Sequence, residues 1–543
     1  MTLPNINLLE QTVFRVSPES QASLPGLLAL LTLDKIDGYP ALRPHQAPAW
    51  HMFLVQLAAL ALHRAGSVQL PESDEAWAQL LRGLTHEFPD DEPWCLVVED
   101  PSKPAFFQPP VPAGMDLKTE VPTPDALDLL ITSKNHDLKQ LVAQQPDIQD
   151  WVYALVSLQT SEGYGGAGNN GIARMNGGYS SRSMFGIAPL TQSKGKGNTP
   201  RPGAWFRRDV TVLLATREDE LEAYDHIGYK PANGLALTWL APWKDDEQIA
   251  LQDLDIWFIE ACRRIRLSMK DEHLVVKRGT SRATRISSIE KAKGVAAVGD
   301  PWAPVVVKDN SPLSLSERDF DYKLLVELLF SGDYRLPVLA RLSANEESGQ
   351  TFALVARALS HGQSKTFGFK SRTLPLGGRI SRALGPKRIE LHLLARKQID
   401  EISHFDLTLR ESLVHMAAGG KDVESISKLS KRERDRLYER TNEARAQFDR
   451  AADVIFFEHL WLRFEAQETG HEALEAEAKA FAQKLFSQAR SIFEAALPSI
   501  PCVRLFRSRG EARARKRFFQ CVRREFPELF PKPAVEETIH EIA

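Results

Sequence analysis

Between Gly163 and Arg208 the chain reads GYGGAGNNGIARMNGGYSSRSMFGIAPLTQSKGKGNTPRPGAWFRR, forty-six residues with seven Arg or Lys and no Asp or Glu. With 71 acids in 543 residues, a stretch of that length should hold about six, so it reads as a basic, glycine-rich surface that faces an anion. A second stretch, Ser348 to Ile389, has forty-two residues with eight bases and again no acid. The partner that suits both is a polyanion.

The glycines of Gly163-Tyr164-Gly165-Gly166-Ala167-Gly168 allow main chain to come close to a ligand. The segment matches neither GxxxxGK[ST] nor a strand–GxGxxG–helix unit, and no acidic residue stands about twenty positions further on. A loop without side chains suits a narrow minor groove better, where it reads the floor weakly. A ligand-free surface loop is the bland alternative.

Four other features carry similar chemistry. In His361-Gly362-Gln363-Ser364-Lys365, a turn would present Gln363, whose amide can hydrogen-bond bases and whose bulk can part a base step; an ordinary polar hairpin tip fits equally. From Arg263 to Lys293 ten bases stand against three acids, with Lys291 and Lys293 as loop-tip candidates for phosphate or base-edge contact, or as part of a solvated charged face. Lys194, Lys196, Lys365 and Lys370 lie in the acid-free stretches and are expected to contact phosphates. The segment Arg504–Arg524 holds nine bases and one acid, fit to follow a phosphate backbone or to dock an acidic subunit.

Catalytic patterns are poorly supported. There is no HExxH, no GxSxG and no carboxylate cluster suited to magnesium. His45 and His51 read as satisfied core or surface histidines. The expectation is a binding protein rather than an enzyme, with no cofactor and no metal. Two rival readings stay open: a nucleotide-binding enzyme with a glycine-rich phosphate loop, and a structural scaffold protein that docks partners through its helices.

The elements that must position these residues follow from composition and periodicity. At 543 residues and 60.8 kDa two or three domains are expected. A net charge of −3 argues against a protein that coats DNA throughout, so binding should be local. Cys95, Cys262, Cys502 and Cys521 are far apart, and a reducing cytoplasm fits them best. Neither a leader peptide nor an apolar run near eighteen residues is evident, so export and a membrane span are not expected.

The fold class expected is α+β: a large, irregular mixed α/β domain over 1–385 followed by a four-helix bundle over 386–543. In the first part Ala47–Ala65 is a helix with Trp50, Phe53, Leu54, Leu57 and Leu60 on one face. Strands are expected at Val210–Ala215 and Trp302–Lys308, and exposed loops at Gly195–Gly203 and Ala344–Gly349. After Gly385-Pro386 the chain turns to Ala, Glu, Arg, Leu and Phe with three-and-four apolar spacing. Four helical segments follow, near 388–418, 427–466, 470–497 and 508–526.

The order of several short motifs resembles a known family. Asn7-Leu8-Leu9 precedes a short strand (Val13–Val16). Then come AFFQ at Ala105–Gln108, TSKNHD at Thr132–Asp137, the glycine segment, PWAP at Pro301–Pro304, the Gln363 turn and the helical C-terminal part. The series is similar to the CasA (Cse1) family, the large subunit of the type I-E CRISPR surveillance complex Cascade. The resemblance implies a non-enzymatic subunit that recognises a protospacer-adjacent motif in double-stranded DNA, wedges the duplex open to start an R-loop and recruits a helicase-nuclease. It implies a glycine loop at Gly163–Gly168, a wedge at Gln363 and Ser364, and a lysine finger at Lys291 or Lys293. It implies that a loop with Lys134, Asn135 and His136 contacts the guide RNA and anchors the chain to the backbone, small and 5′-handle-binding subunits. Two departures stand out: the cysteine-rich insertion of some members has no counterpart, and a basic insertion, Leu190–Gly203, extends the glycine loop.

Overall fold

The computed structural model describes residues 6–127, 146–175, 178, 180–192, 198–245, 247–271, 273–287, 297–342, 346, 350–362 and 365–530. It divides into two compact units, Met1–Phe320 with Glu327–Gly385, and Asp321–Val326 with Pro386–Ala543.

Helices α1 (Leu24–Thr32), α2 (Ala47–Arg64), α3 (Asp74–Gly83), α4 (Ile148–Ser161), α5 (Pro202–Ala215) and α6 (Arg217–Ala223) belong to the first unit. Helix α7 (Tyr322–Val326) belongs to the second unit and α8 (Gly378–Ala383) to the first. The strands are β1 (Phe14–Val16), β2 (Ser20–Ala22), β3 (Thr119–Val121), β4 (Met184–Gln192), β5 (Asn198–Pro200), β6 (Leu235–Leu237), β7 (Leu254–Ile259), β8 (Arg264–Lys270), β9 (His273–Gly279), β10 (Val305–Val306), β11 (Ser311–Pro312), β12 (Tyr334–Arg335), β13 (Thr351–Gly362) and β14 (Lys365–Leu376).

Helix α2 is the centre of the first unit. Nearly all of Pro48–Leu62 is buried, as expected of a helix apolar on every side, and α4, α5 and β7 pack around it. Trp50 meets Phe14 and Tyr153, while Phe53 meets Phe106 and Phe107. Each such ring contributes about 1.5–3 kcal/mol by leaving water. The short motifs turn out to be ties within this core. Leu8 N–H donates to the Trp94 carbonyl and Leu96 N–H to that of Ile6, and the Gln108 amide bridges the Leu96 and Phe106 carbonyls and the Leu267 N–H.

Two sheets matter for the candidate site. One is antiparallel with order β14-β13-β4-β5, and the other runs β3-β9-β8. Val210–Ala215 is not a strand but the end of α5. Its Val-Thr-Val run favours β locally, yet Ala204, Trp205, Val210 and Leu213 are buried at helical spacing, and packing against α2 overrides propensity. Of Trp302–Lys308 only Val305 and Val306 pair, because Pro304 has no N–H to give a ladder. The expected loop at Gly195–Gly203 lies partly outside the described residues; its described part instead forms β5 and opens α5. Most of Ala344–Gly349 also lies outside them.

In the second unit four long helices, α9 (Arg388–Ala417), α12 (Asn442–Thr469), α13 (His471–Ala496) and α14 (Arg507–Glu525), pack on one another. The short α10 (Val423–Ser427) and α11 (Lys431–Glu439) lie between the first two in sequence. The expected single helix at 427–466 is therefore broken. Ser430 starts α11 through a capping box with Glu433, and α12 begins after Thr441, whose hydroxyl donates back to the Tyr438 carbonyl at the end of α11. Among the described residues no helix is long and apolar enough to cross a membrane.

Candidate nucleic-acid interface

The segment Gly163–Gly168 leaves the C-terminus of α4 and folds into a tight turn whose tip is exposed at Gly165 and Ala167 while Gly163 is buried. Gly165 N–H donates to the Asn169 carbonyl at 2.8 Å and Asn169 N–H to the Gly166 carbonyl at 2.9 Å. Gly166 and Gly168 have φ of +106° and +76°, the region that L side chains avoid. A Cβ on Gly168 would also lie 2.6 Å from that of Thr280. The element that follows is only a 3-10 turn, Ala173–Met175, so the glycines do not lead into an α-helix as a phosphate loop does.

The base of the turn is held by buried charge. The Arg263 guanidinium donates to the Gly163 carbonyl at 3.0 Å and pairs with Glu162 at 3.1 Å. Its main chain is fixed by Gln159, whose amide also reaches the Phe107 carbonyl. On the far limb both carboxylate oxygens of Glu260 accept from Ala173 N–H, at 2.8 and 3.0 Å. Burial pushes this carboxyl up to about 7, against the opposing pull of the Ala173 N–H and of Arg174, Arg182 and Arg263. Burial likewise pushes the neighbouring Cys262 thiol up to about 12, so it is an inert packing group. On the outer side Ser281 N–H donates to the Gly168 carbonyl, and Arg278 donates to Asn169 Oδ1 at 2.8 Å.

The arginines of the acid-free stretch do not form the basic surface its composition suggests. Arg174 is buried over the Phe258 ring and donates to the carbonyls of Ile256, Phe258, Val298 and Gly299. Arg182 forms a buried two-point pair with Asp300, at 2.6 and 3.0 Å. Arg208 is buried against Glu346 and the carbonyls of Ile187 and Leu339. Arg201 pairs with Asp34, and Arg207 donates to the end of α1. The five arginines of this stretch therefore tie loops together, because a planar fork can satisfy several carbonyls at once. The basic C-terminal helix behaves similarly. Arg509 and Arg513 donate to the carbonyls of Gly419 and Gly420, and Arg515 and Arg517 pair with Glu494 and Glu411.

The remaining expected residues are placed unevenly. Gln363 and Ser364 lie outside the described residues, between the paired ends of β13 and β14, Gly362 and Lys365. Lys291, Lys293, Lys134, Asn135, His136, Lys194 and Lys196 also lie outside them. Lys365 opens β14, and Lys370 further along that strand pairs with Asp319 at 2.7 Å. Among the described candidates, the structure assembles the glycine turn, and it engages Lys370 with Asp319. His51 is satisfied by Asp209 at 2.9 Å and stacks on Trp205. Arg278, Arg263 and Glu260 went unnoticed in sequence. The first two were counted only as part of a basic run, and nothing local distinguishes a buried glutamate.

Beside the turn lies a groove of about 890 Å³, lined by the 112–119 segment, which carries Asp116 and Lys118, and by Asn169, Lys244, Asp245, Arg264 and the 278–280 segment. No family model and no curated protein matches the chain. Solved structures do. A Cse1 from Acidimicrobium ferrooxidans superposes with TM-score 0.59 at 13% identity over 97% of this chain and 99% of its own. CasA (Cse1) of Thermus thermophilus gives 0.56 at 14% identity over 96% and 99%. A chain of a CRISPR RNA-guided surveillance complex gives 0.53 at 14% identity over 95% and 100%. The chain has the CasA (Cse1) fold.

Proposed function

We propose that this chain is the large subunit of a CRISPR RNA-guided surveillance complex and reads a short motif in double-stranded DNA with its glycine turn. The observation that carries the reading is the whole-length fold match, which leaves almost no part of either chain unaccounted for. Fold alone does not fix function; the exposed turn, held by buried charge and free of side chains at Gly165 and Gly166, supplies the chemistry. Guide pairing delivers most of the sequence specificity in such complexes, so a weak, tolerant reading of the minor groove is what the motif step needs. In this reading Gln363 and Ser364 part the duplex beside the motif, and Lys291 or Lys293 adds a base-edge or phosphate contact. Lys134, Asn135 and His136 meet the guide RNA and neighbouring subunits. The chain acts by binding, and the opened complex recruits a helicase-nuclease.

The test is co-expression with guide RNA and the remaining subunits. The chain should co-purify with them, and duplex opening should require both the chain and a short flanking motif. Gln363→Ala should slow opening more than it weakens initial association. A chain that never joins the complex, or opening that proceeds equally without it, overturns the reading.

A further inference from the structure

The groove beside the glycine turn is continuous with it through one residue: Asn169 closes the turn by accepting the Gly165 N–H on its carbonyl, and also lines the groove. Across from it stands Arg278 on β9, which gives one guanidinium N–H to Asn169 Oδ1. Its other N–H groups have no protein partner among the described residues. The rest of the lining is arranged around it. Arg264 is paired with Asp245 and Lys244 with Glu247, so neither is a free cation. Lys118 is exposed in the segment that leads into β3, whose Thr119 pairs with Arg278, and it has no ion partner among the described residues. That segment is pressed onto the end of β9, for a Cβ on Gly279 would meet Leu117 at 2.6 Å. Two cations with no carboxylate partner among the described residues thus flank one side of the turn.

We propose that Arg278 and Lys118 form a phosphate clamp for one strand of the duplex whose minor groove the glycine turn enters. This rests on the function proposed above and adds the contact that sets the turn's position. A minor groove is only about 6 Å wide and is walled on both sides by phosphates, so groups seated directly beside an inserted turn must face the sugar–phosphate ridge. An exposed lysine and an arginine with spare donors are the groups that such a ridge requires. Burial lowers the Arg278 pKa, which marks a guanidinium poorly served by water and ready to gain from an anion. Because Arg278 also holds Asn169, engagement of the phosphate would stiffen the turn that reads the bases.

The experiment measures binding of the assembled complex to motif-bearing duplex across a salt series, with wild type, Lys118→Ala and Arg278→Gln. Each lost phosphate contact should reduce the steepness of log K against log salt by about 0.9, with the preference for the motif kept in Lys118→Ala. Lys118 is exposed, so its variant folds whatever becomes of Arg278→Gln. Motif-dependent binding with unchanged slopes in both variants overturns this inference alone. Wild-type binding with no motif preference overturns the proposed function, and the clamp with it. A parallel arm uses inorganic phosphate at matched ionic strength. If phosphate raises the melting temperature of wild type but not of Arg278→Gln while the duplex slopes stay equal, the groove is a small-anion site and the clamp is refuted.

Discussion

Arg263 holds the carbonyl of Gly163 at 3.0 Å with the same guanidinium that pairs with Glu162, so a buried cation anchors the base of the glycine turn whose tip its own main chain closes. Removing the charge leaves Glu162 without its partner and Gly163 without its donor. Arg263→Gln should lower stability by about 3 kcal/mol, in the range for breaking a buried pair. The loss should be local in its symptoms: amide hydrogen exchange should quicken over 163–172 before the rest of the first unit, and motif binding should weaken. Uniform exchange across the unit would show that the turn is not the part Arg263 controls.

The glycines separate folding from recognition. A Cβ on Gly165 would make only ordinary contacts, 3.4 Å from Asn169 and 3.5 Å from Arg263, whereas one on Gly168 would collide with Thr280 in a left-handed backbone. Gly165→Ala should therefore leave the melting temperature close to wild type and weaken motif-dependent DNA binding by adding bulk at the exposed tip. Gly168→Ala should lose about 1–3 kcal/mol of stability and binding together. Unimpaired binding by a well-folded Gly165→Ala chain would argue against main-chain entry into the groove.

Glu260 makes a pH dependence predictable. Its carboxyl is raised by burial from an ordinary 4.5 to about 7, so the folded state favours the protonated form. Its contribution is complete below about 4.5 and is lost as pH rises through about 7, with a slope of at most about 1.4 kcal/mol per pH unit. Glu260→Gln should flatten this part of the stability profile, measured by denaturant unfolding from pH 4.5 to 7.5. An identical slope in wild type and variant would show that the carboxyl ionises as freely in the fold as in the open chain.

What could be read from the chain was what is local. The 388–418 and 470–497 helices appear as Arg388–Ala417 and His471–Ala496, because apolar spacing of three and four encodes a buried stripe directly. For α5 the six residues Val210–Ala215 favour a strand, whereas Trp205 and Phe206 just upstream already continue the buried face of a helix. The acid-free stretch misled for a different reason. Composition gives the sign of a charge but not whether it faces solvent: Arg182 finds its carboxylate 118 residues away, and Arg208 reaches one 138 residues away besides its neighbour Asp209. No pattern within a window reports such partners. The break between α10 and α11 is legible in the sequence, since Ser430 and Glu433 stand at capping-box spacing.

Arg182 and Asp300 supply the last prediction. Both side chains are nearly inaccessible, at 2% and 4%, and the guanidinium also reaches the Gln56 amide oxygen and lies over the Trp302 ring. Burial alone would raise the Asp300 carboxyl, but Arg182 and Arg174 hold it below the usual carboxylate range. Asp300 also accepts the Trp302 N–H, so one carboxylate joins the start of β4 to the Pro301–Pro304 turn. Asp300→Asn keeps the shape and strands the guanidinium in the interior. The expected loss is about 3–5 kcal/mol, seen as a lowered urea midpoint. The double variant Arg182→Met with Asp300→Asn, which removes the stranded charge, should recover part of it. If the double variant is no better than the single one, the cost does not come from a buried unpaired cation.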